Sequence, residues 1–465
     1  MVVPLAGRWV AAAFGLLLVL ASWQSVIGTL IVPRAVPSRL ALWASHAVVA
    51  FYRLITRPVD DYRRRDRILA TQAPAILVTQ LATWLTIFLV GFTLLLWPAH
   101  GRSITRALAD AGSSLFTLGF AEPPGTVPDI VVFTAAATGM IVVALQIGYL
   151  PTLYGAFNRR ETDVALLVSR AGVPSWGPEL LARTHYALGS GVSTIDTLPD
   201  LYLQWERWAA DVGESHSTYV PLVRFRSPQP FSSWVISLLA VLDSAALILS
   251  LAPNQVPVVP ARLCLRSGFN CLTKVARAMG MDVPDEANPD ASITLTYEEF
   301  LAAVSRMDEV QFPMSRTPAD AWPDFVGWRV NYERAAYQIA EAIDAAPALW
   351  SGPRRYRTAE VSPQRPPRGR IPLLDATGPS GDDSIPSPLP PTGGAFPPAA
   401  TPPGQDQPPP PAASDYDHPP PPAAGPDQDQ PPHRPAAPDQ DQPPDRPAAP
   451  DQDPPPPRAA PPSGT

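Results

Sequence analysis

Three long stretches near the N-terminus carry no Asp, Glu, Lys or Arg. Trp9 to Pro33 is a run of 25 residues, Ala75 to Trp97 a run of 23 and Ile130 to Phe157 a run of 28. A helix needs ~20 apolar residues at 1.5 Å rise to cross ~30 Å of hydrocarbon, so each run predicts a transmembrane helix. The first is too long for a secretory signal, and no small-residue cleavage site follows it closely. Beyond these runs the period lengthens to that of amphipathic helices. Residues 158–350 read as mainly helical, with helical spacing at Leu201–Trp208, a capping box at Thr296–Glu299 and a closing segment over Ala321–Trp350. Ser232 to Leu251 is apolar enough to span, but Asp243 sits at its centre and arginines flank both ends. A carboxylate at the bilayer midplane costs ~3 kcal/mol or more, so this segment is read as a buried helix of a soluble body.

Orientation follows from arginine bias. Between the first two runs lie Arg34, Arg39, Arg53, Arg57, Arg63, Arg64, Arg65 and Arg67 against Asp60, Asp61 and Asp66. This connection is expected in the cytoplasm, which places the N-terminus and the 98–129 connection outside and residues after Asn158 inside. Within the inner connection Leu40 to Ile55 is apolar but interrupted by His46 and Arg53, the pattern of a helix lying in the headgroup plane. The expected organisation is a first span over 1–34, an Arg-rich loop with an interfacial helix over 35–74, a two-span unit over 75–157, a helical cytoplasmic domain over 158–350 and a tail over 351–465.

The outer connection holds a further candidate helix, opening near Ser103 and ending near Phe116, followed by Thr117-Leu118-Gly119-Phe120-Ala121. About 12 helical residues would descend ~18 Å, and five extended residues would climb back ~15 Å. Such a loop can exist at membrane depth only if its backbone is buried in protein or faces a water-filled pore. Hydroxyl, aliphatic, glycine and aromatic at 117–120 follow the residue types of a Thr-Val-Gly-Tyr-Gly filter, whose carbonyl oxygens replace the hydration shell of a potassium ion. With the order span, short helix, filter-like segment, span, residues 75–160 resemble the bacterial two-transmembrane pore-loop potassium-channel family. The chain adds one extra span and a large cytoplasmic extension.

The resemblance implies an all-α membrane protein with a re-entrant pore helix, a homotetramer around a central axis and potassium as the permeant ion. It implies that Thr117 supplies the innermost site and the carbonyls of Leu118, Gly119 and Phe120 the next ones. The family has glycine where this chain has Ala121, and a positive φ there would cost an alanine about 1 kcal/mol. Glu122 is either an outer-mouth carboxylate, which as a four-fold ring would concentrate cations, or an ordinary loop acid. In the third run Gly139 is a hinge candidate, and Gly148 and Pro151 are gate candidates, although transmembrane helices also tolerate Gly and Pro without such roles. No span carries arginine at every third position, so no voltage sensor is expected.

Composition changes the picture at the C-terminus, where 37 of the 62 prolines fall in the last 115 residues. A twelve-residue Pro/Ala/Asp/Gln repeat beginning at Arg434 has almost nothing to bury in a core. The tail is expected to be disordered and biased to polyproline II, a spacer or a docking segment for a protein partner. The net charge of −7 argues against bulk nucleic-acid binding. Cys264 and Cys271, seven apart, suit neither a zinc pair nor a redox motif, and no serine, cysteine or histidine constellation suggests an enzyme. No cofactor is expected. The expected function is a cation channel subunit in a bacterial plasma membrane; the alternative is a non-conducting membrane anchor or scaffold that retains a decayed pore fold.

Overall fold

The computed structural model describes residues 5–32, 38–100, 103–121, 125–186, 194–254, 258–284, 288, 291–353 and 356. The chain divides into two units, 1–380 and 381–465, and every described residue belongs to the first. The expected disordered tail lies outside the described residues apart from Ser351–Pro353 and Tyr356. Among the described residues the secondary structure is entirely helical.

Three of the expected runs form α1 (Leu5–Leu30), α4 (Gln72–Leu96) and the first part of α6 (Thr126–Ala171). Four stretches are long and apolar enough to cross a membrane: α1, Tyr62–Leu96, α6 and α9 (Trp234–Leu251). The first three turn large apolar side chains outward, among them Leu17, Leu20, Val78, Phe133, Met140 and Ile147. Water would penalise that surface and hydrocarbon does not, so this is a membrane protein. Small residues let α1 and α4 approach closely, as expected where lipid removes the hydrophobic drive between helices. A Cβ on Gly15 would lie 2.6 Å from the Gly91 carbonyl oxygen. Further along the same contact Trp84 Nε1 donates to Ser25 Oγ at 2.9 Å.

The described part of the connection between α1 and α4 is mostly helical. α2 (Arg39–Thr56) is capped by Ser38, whose Oγ accepts from the Ala41 amide, and buries Ala41, Ala44, Val48, Val49 and Tyr52 at helical spacing. Its other face exposes Trp43, Phe51 and Leu54 beside Arg53. The short α3 (Tyr62–Leu69) opens on an Asp61 cap and leads into α4. Its arginine-rich sequence reads only as a charged flank, yet Arg65 pairs with Asp344, and Asp66 pairs with Arg226.

The remaining helices wrap α9. They are α7 (Gly177–Tyr186), α8 (Leu198–Thr218), α10 (Val258–Ala278), α11 (Tyr297–Asp308), α12 (Pro318–Arg329) and α13 (Glu333–Ala342), with 3₁₀ turns at Thr194–Thr197 and Val220–Arg224. All 18 residues of α9 are buried. Its one charged group, Asp243, accepts hydrogen bonds from the Arg329 guanidinium and, at 2.7 Å, from Tyr332 Oη. Arg329 also donates to Glu333 at 3.0 Å and to the Trp350 carbonyl at 2.6 Å. The charge inside the apolar helix is therefore met by an opposite charge and two hydrogen bonds to Oδ1, the kind of pairing that lets buried ions be tolerated. Burial opposes charging Arg329, but the adjoining Asp243 more than offsets it and holds the guanidinium firmly protonated.

α6 continues from the apolar helices into this helical body. At its body end Arg160, fully buried, donates to Glu161, to the carbonyls of Leu222 (3.0 Å) and Phe225 (2.8 Å), and to His216 Nε2 at 2.9 Å. Burial first, and the guanidinium second, push His216 well below the usual histidine range, so it accepts from Arg160 as a neutral ring.

Candidate functional site

The helix expected near Ser103 is α5 (Ile104–Leu115), opened by Ser103 Oγ accepting from the Arg106 amide at 3.3 Å. It buries Ala107, Ala111, Ser114 and Leu115 at helical spacing and fits between α4 and α6. Gly112 faces Leu89, where a Cβ would make ordinary contact at 3.7 Å. The end of the helix meets Gly139, where a Cβ would lie 1.9 Å from the Leu115 carbonyl oxygen. Leu89 is seven residues before the end of α4, and Gly139 is thirteen residues after the start of α6. At 1.5 Å per residue those contacts lie ~10 and ~20 Å from the respective helix ends. Nearer the start of α5, the buried pair His100 Nε2 and Asp110 Oδ2 approach to 2.5 Å.

The chain after α5 is not the extended strand expected from sequence. Thr117 and Gly119 both take positive φ, +53° and +72°. The Thr117 amide donates to the Ser114 carbonyl at 2.9 Å, and the Leu118 amide to the Ser113 carbonyl at 2.7 Å. Gly119 N also reaches Ser113 O, at 3.4 Å. Ser113 Oγ then accepts from the amides of Phe120 (2.9 Å) and Ala121 (3.1 Å). Five successive N–H groups thus turn back on the last turn of α5, whose carbonyls have no helical partners of their own. Thr117 Oγ1 donates to the Phe116 carbonyl at 2.8 Å. Among the described residues the carbonyls of Thr117, Leu118, Gly119 and Phe120 accept no hydrogen bond. The side chains of Leu118 and Phe120 are 64% and 68% exposed.

The conformational cost anticipated at Ala121 falls elsewhere. Ala121 is not among the residues with positive φ, whereas Thr117 is, and a β-branched residue there costs of order 1 kcal/mol. Ser113, the acceptor for four of the five amides, carries no signal in a reading that expects an extended return. The cue available was the hydroxyl at 113, four residues before Thr117, on the final turn of a helix that must reverse direction. Glu122 lies outside the described residues. Gly139, Gly148 and Pro151 all sit within α6, which runs unbroken through them. Gly148 differs from Gly139 in having no atom within 4 Å of a Cβ position.

Among the described residues no group of three or more His, Cys, Asp or Glu could hold a metal ion. Both cysteines are buried free thiols; burial pushes each up, Cys271 to about 12. Comparison with family models, with curated proteins and with solved structures finds no match to this chain.

Proposed function

We propose that the chain is a potassium-channel-like cation channel subunit, working as a homotetramer in which residues 117–120 of four copies surround one axis. On this reading α5 is a re-entrant pore helix. It enters the membrane between α4 and α6 and stops at Leu115, and the carbonyls that follow replace water around a cation. The observation that carries the reading is the one-sided hydrogen bonding of this segment: its amides are tied to α5 while its carbonyls remain bare. At membrane depth bare carbonyls cost several kcal/mol each in hydrocarbon, and they are stable only on an aqueous path that cations can share. The negative end of the α5 dipole favours a cation at the same place.

On the same reading the α7–α13 body lies at the cytoplasmic face of a bacterial plasma membrane; the outward apolar residues of α1 and α6, the arginine bias of 34–67 and the interfacial pattern of α2 support it. Bending of α6 to gate the path is assigned to Gly148–Pro151, because Gly139 is locked against Leu115. The tail is a spacer or partner-docking segment.

Potassium flux into liposomes containing the purified chain tests this directly. Barium-sensitive flux is expected, and it should disappear in Gly119→Ala, where a Cβ at φ +72° strains the segment by about 1–2 kcal/mol. A folded, reconstituted protein no leakier than empty liposomes would contradict the proposal and favour a membrane anchor.

A further inference from the structure

Where α1 ends and α4 begins, the helices leave a space unfilled. Val32, Leu42, Val49 and Ile76 supply an apolar wall to a cleft closed on the body side by the Val220–Arg224 turn. This cleft continues into a second one that shares His46, Val49, Arg224 and Met279 with it and is rimmed by Arg53 and Arg57. An apolar slot therefore opens onto a basic mouth.

Two arginines near that mouth are paired within the chain. Arg65 has Asp344, and Arg226 has Asp66. Among the described residues no carboxylate forms an ion pair with Arg53 or Arg224, and the nearest polar partner of Arg224 is the Ala342 carbonyl at 2.9 Å. Burial and then the neighbouring Arg53 lower the Arg224 guanidinium to about 10. Two like charges held side by side are relieved by an anion placed between them.

We propose that this cleft binds an acidic phospholipid of the adjacent leaflet, with the phosphate against Arg53 and Arg224 and one acyl chain in the slot between α2 and α4. A lipid fits better than a soluble anion for two reasons on the structure. The slot is lined mostly by apolar surface, from which free phosphate gains nothing. The exposed face of α2 carries Trp43, Phe51 and Leu54, which places the mouth at headgroup level. The proposal rests on the membrane placement of α1, α2 and α4 and is independent of conduction.

The test is the unfolding midpoint of the full chain in neutral detergent, titrated separately with phosphatidylglycerol, phosphatidylcholine and inorganic phosphate. Phosphatidylglycerol should raise the midpoint saturably, and the other two should not. Arg53 is exposed and outside the body's core, so Arg53→Gln leaves folding intact; it should raise the half-saturating phosphatidylglycerol concentration about fivefold, the effect of one basic residue near an anionic headgroup. Ser45→Trp, which plugs the slot, should abolish the shift with helix content unchanged. Equal shifts from both lipids, a shift reproduced by inorganic phosphate, or a response unaltered by both substitutions would overturn the proposal. Because the readout is binding in detergent, it succeeds or fails separately from any flux measurement.

Discussion

At position 139 a single carbonyl oxygen decides the residue. With Leu115 O lying 1.9 Å from any Cβ there, Gly139→Ala must push α5 away from α6. Overpacking of this kind costs about 1–3 kcal/mol, and it should lower the unfolding midpoint clearly. Gly148→Ala, with no atom within 4 Å of a Cβ position, should leave the midpoint unchanged or slightly raised, and equal midpoints in the two variants would count against this contact. His216 carries a pH prediction. Its folded-state pKa lies well below the ordinary 6.5, so the unfolded chain binds the proton more readily. Stability is then flat above pH 6.5 and falls as pH drops below it, by up to ~1.4 kcal/mol per unit. Acid titration of stability in wild type and His216→Gln should show a shallower fall in the variant; parallel curves would refute the assignment. The residue types at 117–120 were legible because they belong to one short segment. Ser113 was not, because its role depends on the positive φ at Thr117, which no side-chain pattern announces.

Among the elements, α9 shows what an apolar run can and cannot reveal. Its length and composition fit a membrane span, and only Asp243 and the arginines flanking both ends argued for burial in a helical body. The structure surrounds all 18 residues with protein and supplies Arg329 from 86 positions downstream. That partner was invisible in sequence because nothing local links the two. Arg329→Met should cost about 3–5 kcal/mol by leaving a buried carboxylate uncompensated, whereas adding Asp243→Asn should recover part of the loss. Chemical denaturation of wild type, the two single variants and the double variant measures the coupling, and additive losses would contradict a direct pair. α2 illustrates the opposite case. Its apolar spacing alone placed a helix over 40–55, against the observed Arg39–Thr56. α3 was missed because four arginines in eight residues look like a solvated flank, and only the tertiary pairs of Arg65 and Asp66 explain why the segment is helical.

At the scale of the molecule, two of the features that join the apolar helices to the body stand out among the described residues. One is α6, continuous from Thr126 to Ala171 and anchored by the buried Arg160. The other is the Arg-rich connection between α1 and α4, where Arg226 bonds Asp66, Tyr62 and the 343–344 carbonyls, and Tyr356 Oη donates to Val59 O at 2.8 Å. α6 therefore enters the body as a continuous helix rather than through a loop. The number of long apolar helices and the helical body could be read from hydrophobic periodicity. The way the Arg-rich connection grips the end of the folded region could not, since it joins residues nearly 300 apart in sequence. Both native cysteines are buried with raised thiol pKa values, so a cysteine introduced elsewhere reacts without background. The most direct measurement is the rate at which a bulky impermeant thiol reagent modifies Phe120→Cys in liposomes. If residues 117–120 line a shared ion path, modification is slower than at an exposed surface cysteine and is slowed further by potassium. Modification as fast as at the surface control, and indifferent to potassium, would contradict it.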